Sequence, residues 1–169
     1  MSKRLLFLDF DGVLHDADAA NIEYEGTRII VTGDGLFLHA PALADALCGY
    51  PDVDVIISSS WRNQFPLAEL VERLGVLGAR VTDTTKESRY KWSCANRYAE
   101  CAAYALDRQA PDWLMLDDQP EIVFGVDVPT PDQQAHLLVC DANLALGTPG
   151  VLPALCAWFA GRHDTPNNG

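Results

Sequence analysis

The chain is poor in basic side chains and has no long apolar segment. Its 169 residues include 12 Lys and Arg against 24 Asp and Glu, which gives a formal net charge of −12 at pH 7. Such an acidic surplus disfavours strong general binding to nucleic acid or to anionic membranes. No apolar run approaches the roughly 20 residues of a membrane-spanning helix. Residues 1–4 lead straight into a predicted core strand, so we expect a cytoplasmic protein without a leader peptide.

Cysteines are few and do not form a recognisable pattern. None of the five is spaced as Cys-x-x-Cys, and their number is odd. These two facts disfavour a zinc ribbon and a disulfide framework. The sequence also lacks internal repeats and low-complexity tracts. With 49% hydrophobic residues, the chain predicts a single domain over residues 1–160 and a disordered polar tail at 161–169.

Apolar runs alternate with helical patterns, which is typical of βαβ units. The pattern predicts strands at residues 4–10, 53–59, 76–82, 113–116 and 135–140, and helices at 41–49, 66–74, 91–107 and 152–160. We expect an α/β fold, a Rossmann-like three-layer sandwich with a mainly parallel five-stranded sheet. Residues 22–32 predict a short β-hairpin flap after strand one, because two arms with alternating or β-branched residues flank Gly26 and Thr27.

Polar side chains stand at the end of three of these apolar strands. Asp9 and Asp11 stand at the end of the first predicted strand, and three serines at 58–60 stand at the end of the second. Asp117 and Asp118 stand at the end of the fourth predicted strand. Ligands of parallel sheets bind outside the carboxyl ends of the strands, so these groups are expected to converge. Two carboxylates one residue apart repel each other unless a cation lies between them. Mg²⁺ is the common choice where the chemistry involves phosphate.

The order of these motifs resembles the haloacid dehalogenase-like (HAD) superfamily, whose members are mostly phosphatases and phosphotransferases. The first motif of that family, Asp-x-Asp-Gly-(Val/Thr), stands at residues 9–13. Its second motif, a Ser or Thr ending an apolar strand, lies within 55–60, and its fourth, an acidic pair, ends 114–118. The stretches 59–62 and 97–101 narrow the resemblance to small HAD domains that include those of bacterial RNA-repair proteins.

The resemblance implies a role for each acidic residue. Asp9 would be the nucleophile and would form an aspartyl-phosphate. Asp11 would protonate the leaving oxygen and then activate water, and an Asp at this position favours phosphoryl transfer over dehalogenation. Asp117 and Asp118 would complete the Mg²⁺ site with Asp9 and Asp11.

The resemblance also implies hydrogen-bond donors for the phosphoryl group. Only one of Ser58 and Ser59 can face the site, because side chains alternate along a strand. The spacing to Trp61 favours Ser59, and Trp61 itself is expected to be a core or rim aromatic. His15 is expected to point away from the metal motif. The other candidate phosphate contacts are Gly12, Ser60 and Arg62.

The cation that neutralises phosphate and nucleophile in the family has several candidates here. Arg97 fits a local Arg-x-x-Glu pattern, whereas Lys91 is the commoner residue type in the family. Lys86 and Arg89 remain open as well. Arg62 is equally ambiguous, because it fits either a bidentate phosphate contact or a pair with a surface acid.

The chain leaves no room for a large cap at the two insertion points typical of the family. The first holds the flap at 22–32 and the second a polar loop at 83–90. We therefore expect a capless member whose open site suits a bulky substrate. Tyr24 or Arg28 of the flap would reach inward in such an arrangement.

The sequence thus predicts a Mg²⁺-dependent phosphatase, a hydrolase of phosphomonoesters. Its partner would be a phosphorylated small molecule or a macromolecular end, and self-association is compatible with the sequence. A nucleic-acid end-processing phosphatase is the alternative within enzymes. A non-catalytic HAD-like binding module is the alternative of another class, and the presence of Asp9 and Asp11 disfavours it.

Overall fold

The computed structural model describes residues 3–85, 96–125 and 128–161. The strands in these ranges are β1 (Arg4–Leu8), β2 (Asn21–Glu25), β3 (Arg28–Thr32), β4 (Val53–Ile57), β5 (Val81–Thr84), β6 (Trp113–Asp117) and β7 (Leu137–Val139). The helices are α1 (Ala40–Ala46), α2 (Leu67–Arg73), α3 (Arg97–Asp107), α4 (Pro120–Phe124), α5 (Pro131–Gln134) and α6 (Val151–Phe159). None of the helices in these parts of the chain has the length and apolar character to cross a bilayer.

Five strands form one parallel sheet in the order β5-β4-β1-β6-β7. The β2 and β3 strands pair with each other as an antiparallel hairpin outside this sheet. Both features confirm the predicted α/β fold with a flap after strand one.

Both faces of the sheet are covered, because successive side chains of a strand point to opposite faces. In β1, Leu6 and Leu8 belong to one apolar cluster with residues of α1, α2 and α6. Leu5 and Phe7 belong to a second cluster with residues of α3 and α4. A strand buried on both sides has to be apolar throughout, which explains the continuous apolar runs in the sequence.

The position of β1 determines where a ligand can bind. Leu8, its last residue, is in register with Ile57 of β4 and with Leu116 of β6. The chain leaves β1 toward β4 on one side and later returns to β6 on the other, so the strand order reverses between β1 and β6. A crevice opens at such a switch point, outside the carboxyl ends of the strands.

The predicted strand at 76–82 is wrong in its first half. Gly75–Arg80 forms a 3₁₀ helix, and β5 begins only at Val81. Gly78 packs so closely on α2 that an added Cβ would collide with the carbonyl of Val71. Arg80 anchors the same turn by donating hydrogen bonds to the carbonyls of Leu47 and Val53, both at 2.9 Å.

The predicted helix at 91–107 begins later than expected. Asn96 is extended (φ −146°, ψ 154°), and its Oδ1 accepts the N–H of Ala99 at 2.8 Å. This cap starts the helix at Arg97. Residues 86–95, which carry the first part of the predicted stretch, lie outside the described residues, as does the predicted tail beyond Gly161.

The predicted strand at 135–140 is also shorter than expected. The short helix α5 precedes it, and a capping box between Thr130 and Gln133 fixes the start of this helix. Ala135 closes α5, so β7 keeps only three residues.

The burial of β1 makes a prediction about stability. Leu6 is completely buried in the central strand, whereas Leu106 is 78% exposed on α3. We expect Leu6→Ala to lower the free energy of unfolding by about 2–5 kcal/mol, because it leaves a cavity in the core. The same change at Leu106 is expected to cost less than about 0.5 kcal/mol. Urea unfolding followed by circular dichroism measures both, and equal losses would contradict the assigned burial.

Candidate active site

Three carboxylates from two distant parts of the chain meet at the switch point. Asp9 follows β1, Asp117 ends β6, and Asp118 is next to it. One carboxylate oxygen from each lies within 4.8 Å of the other two. Asp9 and Asp117 are buried, with 5% and 0% of their surface exposed. The sheet itself creates this proximity, since the N–H of Asp9 donates to the carbonyl of Leu116 at 3.1 Å.

Arg97 supplies the positive charge next to these acids. It is the first residue of α3, and its Nη1 donates to Asp9 Oδ2 at 2.7 Å and also to Asp117 Oδ2. Burial opposes the charge of the guanidinium, but the carboxylates of Asp9 and Asp117 raise the pKa of Arg97 above its ordinary value. Arg97 is therefore a fixed cation at the centre of the site.

One arginine does not neutralise three carboxylates. Burial, together with the charge of Asp9, raises the pKa of Asp117 to about 7. Burial, and after it the charge of Asp9, also raises the pKa of Asp118. The site thus favours an additional positive charge, either a proton or a bound cation.

The contact between Gly12 and Asp118 explains the glycine of the first motif. Gly12 has φ +68°, and an added Cβ would collide with the carboxyl group of Asp118. Oδ1 of Asp118 is buried and has no hydrogen-bond partner among the described residues. A buried carboxylate oxygen without a donor fits a metal ligand, and three carboxylates are a donor set that Mg²⁺ accepts. Asp9, Asp117 and Asp118 are accordingly the residues that would hold the ion.

Asp11 lies apart from this cluster of ligand atoms and has its own partners. His15 Nδ1 accepts the N–H of Phe37 at 3.2 Å, so the proton of the neutral ring is on Nε2. Nε2 then donates to Asp11 Oδ1 at 3.0 Å. Trp61 Nε1 donates to the other oxygen, Oδ2, at 2.9 Å. Two donors thus fix the direction of this carboxylate.

These contacts change the expectations for two aromatic residues. His15 was expected to point away from the metal motif, and this is wrong, because its completely buried ring binds Asp11. Trp61 is buried as expected, at 2% exposure, but its indole N–H also serves the site. The sequence signal for His15 was its spacing, four residues after Asp11, while nothing local pointed to Trp61 as a donor.

The serines after β4 differ in what they contact. Ser59 Oγ accepts the N–H of Trp61 at 3.4 Å and caps the 3₁₀ helix Ser60–Asn63. Ser60 is exposed. Ser58 Oγ is buried and has no hydrogen-bond partner within the described ranges. Among the described residues, Ser58 is thus the hydroxyl with neither a donor nor an acceptor beside it, while Ser59 accepts one hydrogen bond and keeps its O–H free to donate.

Thr85, after the adjacent strand β5, is a residue that the sequence did not suggest. It is 1% exposed, and its Oγ1 also lacks a partner in the described parts of the chain. Its N–H donates to the carbonyl of Ile57 at 2.9 Å, which places it beside the end of β4. No local pattern distinguishes Thr85, because its position depends on the register between β4 and β5.

Arg62 ties the ends of β4 and β5 to α3. Its Nε donates to the carbonyl of Thr85 at 2.9 Å, and Nη1 donates to the carbonyls of Ser58 and Ser59. Its Nη2 contacts both carboxylate oxygens of Glu100, at 2.9 and 3.0 Å. These contacts use its donors, so Arg62 holds the site together and is not free to bind phosphate. Of the two alternatives for Arg62, the structure contains the pair with an acid.

The other candidate cations at 86–91 cannot be placed. Lys86, Arg89 and Lys91 lie outside the described residues. Arg97 reaches the acids through the first turn of α3, and Glu100, one turn later, reaches Arg62. The two charged residues of the local Arg-x-x-Glu pattern thus have separate partners: Arg97 pairs with Asp9 and Asp117, and Glu100 pairs with Arg62.

Comparison with known families agrees with this arrangement. Residues 5–151 match the family model described as the HAD domain in Swiss Army Knife RNA repair proteins. The chain belongs to this family. The matched range includes both acidic motifs, the flap and Arg97. No curated protein and no solved structure matches the chain.

The electrostatics of the cluster predict stabilisation by Mg²⁺ that depends on pH. The pKa of Asp117 is about 7 in the folded protein against 3.8 as its ordinary value. Without metal, this carboxyl favours the folded state at low pH, and that contribution is lost as the pH rises through about 7. Added Mg²⁺ replaces the proton, so we expect it to raise Tm more at pH 8 than at pH 6. At a hundred times its dissociation constant, the expected gain is about 2.7 kcal/mol, or about 5–10 °C.

Differential scanning fluorimetry with and without MgCl₂ measures this effect. Asp118→Asn should greatly reduce the Mg²⁺-dependent shift, whereas Asp45→Asn, on the exposed face of α1, should leave it intact. An equal Mg²⁺ shift in all three proteins would exclude a metal site at these carboxylates.

Proposed function

We propose that this domain is a Mg²⁺-dependent phosphomonoesterase that acts through an aspartyl-phosphate on Asp9. The observation that carries the proposal is the meeting of Asp9, Asp117 and Asp118 around Arg97 at the switch point. Membership in a HAD family supports the general class of hydrolase. Mg²⁺, held by the three carboxylates, would offset their repulsion with a phosphate dianion.

The nucleophile is oriented from both sides. Asp9 Oδ1 accepts the N–H of Phe10 at 2.9 Å, and Oδ2 accepts Arg97 Nη1 at 2.7 Å. In the first step, a carboxylate oxygen of Asp9 forms a bond to phosphorus while the bond from phosphorus to the leaving oxygen breaks. In the second step, water attacks phosphorus, which releases inorganic phosphate and restores the Asp9 carboxylate.

Asp11 is the proposed carrier of the proton. In the first step its carboxylic acid gives a proton to the leaving oxygen, and in the second step the resulting carboxylate takes a proton from the attacking water. The donors from His15 and Trp61 hold this group in one orientation. Ser58 and Thr85 offer hydroxyls to the phosphoryl oxygens, and Arg97 supplies positive charge next to them.

A nucleic-acid end-processing phosphatase is the second candidate, and the family description favours it, since it refers to RNA repair proteins. A capless site suits such an end. We also propose that the domain binds a phosphorylated ligand and that it is located in the cytoplasm. The presence of all four acidic residues, Asp9, Asp11, Asp117 and Asp118, argues against a purely structural module.

Hydrolysis of p-nitrophenyl phosphate tests the main proposal. We expect wild-type activity with MgCl₂, loss of that activity in EDTA, and at least about a thousandfold loss in Asp9→Asn, because the amide is not a nucleophile. The matched control, Asp45→Asn, should behave as wild type. Acid-quenched reactions should contain phosphorylated protein in the wild type and in Asp45→Asn, but not in Asp9→Asn. Full turnover in EDTA, or by Asp9→Asn, would refute the mechanism.

The contact between Trp61 and Asp11 makes a separate prediction. Trp61→Phe keeps an aromatic ring but removes the N–H donor to Asp11. We expect kcat to fall about tenfold for an alkyl phosphate, the equivalent of one hydrogen bond of about 1.4 kcal/mol. For p-nitrophenyl phosphate the fall should be much smaller, because nitrophenolate leaves without needing a proton.

Trp158→Phe is the control for this experiment. Trp158 also donates its indole N–H to a carboxylate, that of Asp112 at 3.1 Å, but at the opposite end of the sheet. It should change neither rate. If Trp61→Phe slowed both substrates by the same factor, Trp61 would be supporting the structure and not the proton transfer.

A further inference from the structure

Phe37 has an unusual backbone conformation for its residue type. Among the described residues, three residues other than glycine have a positive φ: Phe37 at 56°, Gln109 at 52° and Ala145 at 49°. Gln109 directly follows the C-cap of α3, a position where a positive φ is common, and Ala145 is small. A bulky residue in this conformation is strained and persists only where its surroundings fix it. Phe37 lies in the connection between β3 and α1, so contacts made there have to offset the strain.

The contacts of Phe37 are concentrated on one group of aromatic residues. Its N–H donates to His15 Nδ1 at 3.2 Å. Its ring packs edge to face on the rings of Phe10, His15 and Trp61, at centroid distances of 5.3, 5.1 and 5.4 Å. The three partners are buried, whereas Phe37 is half-buried. Phe37 is thus the most exposed of these four rings, and edge-to-face packing defines the planes of the rings that it contacts.

Two of these partners supply the N–H groups that bind Asp11. The ring of His15 donates to Asp11 Oδ1 at 3.0 Å, and the indole of Trp61 donates to Oδ2 at 2.9 Å. Within the described ranges, the Asp11 carboxylate accepts no other hydrogen bond. Phe37 contacts both of these donors, so its position affects both oxygens of the carboxylate.

The third ring partner serves the proposed nucleophile. The N–H of Phe10 donates to Asp9 Oδ1 at 2.9 Å, and the side chain of Phe10 is completely buried. Every aromatic ring that Phe37 contacts in the described parts of the chain therefore belongs to a residue that donates an N–H to Asp9 or Asp11. A side chain that merely fills the core has no reason to contact such donors alone.

We propose that Phe37 is a positioning residue for Asp11 in the phosphoryl-transfer reaction. It acts through His15 and Trp61, whose ring planes it fixes, so that their N–H groups stay directed at the carboxylate. The inference rests on the proposed phosphatase function and adds to that site a residue of the connection after the flap. A carboxylate that turns away from the leaving oxygen transfers its proton less often, because proton transfer requires a defined geometry.

Kinetics with two leaving groups test this inference. Phe37→Gly removes the ring but suits the positive φ, so the backbone N–H that donates to His15 is kept. We expect kcat/KM for an alkyl phosphate to fall about three- to tenfold, because Asp11 no longer meets the leaving oxygen in one orientation. For p-nitrophenyl phosphate the change should be less than about twofold, because nitrophenolate leaves without a proton and kcat/KM covers only the steps up to its release.

Tyr50→Ala is the matched control for the loss of an aromatic ring. Tyr50 is also half-buried and packs on the same apolar cluster as Phe37, but it lies before β4, where its ring contacts that of Phe159. This variant should lower Tm as Phe37→Gly does, yet leave kcat/KM unchanged for both substrates. Phe37→Leu keeps an apolar side chain of similar volume, so the fold is retained if Phe37→Gly proves unstable. It should show a smaller loss that is again confined to the alkyl phosphate.

The indole N–H of Trp61 gives a readout that requires no turnover. Its exchange with water is measured by NMR in Phe37→Leu, because the side chain at position 37 still shields the indole in this variant. We expect faster exchange than in the wild type, since the hydrogen bond to Asp11 opens more often. The indole N–H of Trp158, which donates to Asp112 at 3.1 Å, should exchange as in the wild type.

Faster exchange at Trp61 supports the positioning role even if the protein hydrolyses no phosphomonoester, so the failure of the proposed function is distinguishable from the failure of this inference. Unchanged exchange in Phe37→Leu would overturn the inference. In an active enzyme, it would also be overturned if Phe37→Gly left kcat/KM for the alkyl phosphate unchanged or lowered it equally for both substrates.

Discussion

The repulsion among three carboxylates, two of them buried and one half-buried, is the constraint on which this site depends. The sheet register forces Asp9 next to Asp117, since both immediately follow residues that are paired between β1 and β6. Arg97 compensates part of this charge and connects α3 to the sheet. The remaining negative charge favours a further positive charge at this position, either a proton or a bound cation. The strand order thus creates the negative charge of the site, and the position of α3 offsets part of it.

The acidic residues of the site differ in the kind of partner that each one contacts. Asp9 and Asp117 contact the permanent cation Arg97, whereas Asp11 contacts the N–H groups of His15 and Trp61. A carboxylate held by neutral donors keeps a defined direction without a full opposing charge. This difference suits the role proposed for Asp11, which is to give and take a proton.

Much of this arrangement could be predicted from local sequence. The apolar runs predicted the strands of the sheet, and the polar residues at the ends of these runs predicted which side chains meet. Both kinds of signal extend over only a few residues of sequence. The predicted strand at 76–82 was partly wrong because Val76 and Leu77 are apolar yet belong to a 3₁₀ turn that Gly78 permits by packing on α2. The partners of Arg62 and the position of Thr85 could not be predicted, since they depend on how β4, β5 and α3 pack in three dimensions.

The close packing of Gly12 on Asp118 links two motifs that are far apart in the chain. Any side chain at position 12 would displace the acid, so the glycine is constrained for as long as that acid remains. A relative with a smaller residue in place of Asp118 would lose this collision, but the φ of +68° would still favour glycine at position 12. Simultaneous change at both positions would therefore indicate that a relative has lost the close contact and has also rebuilt the turn after β1.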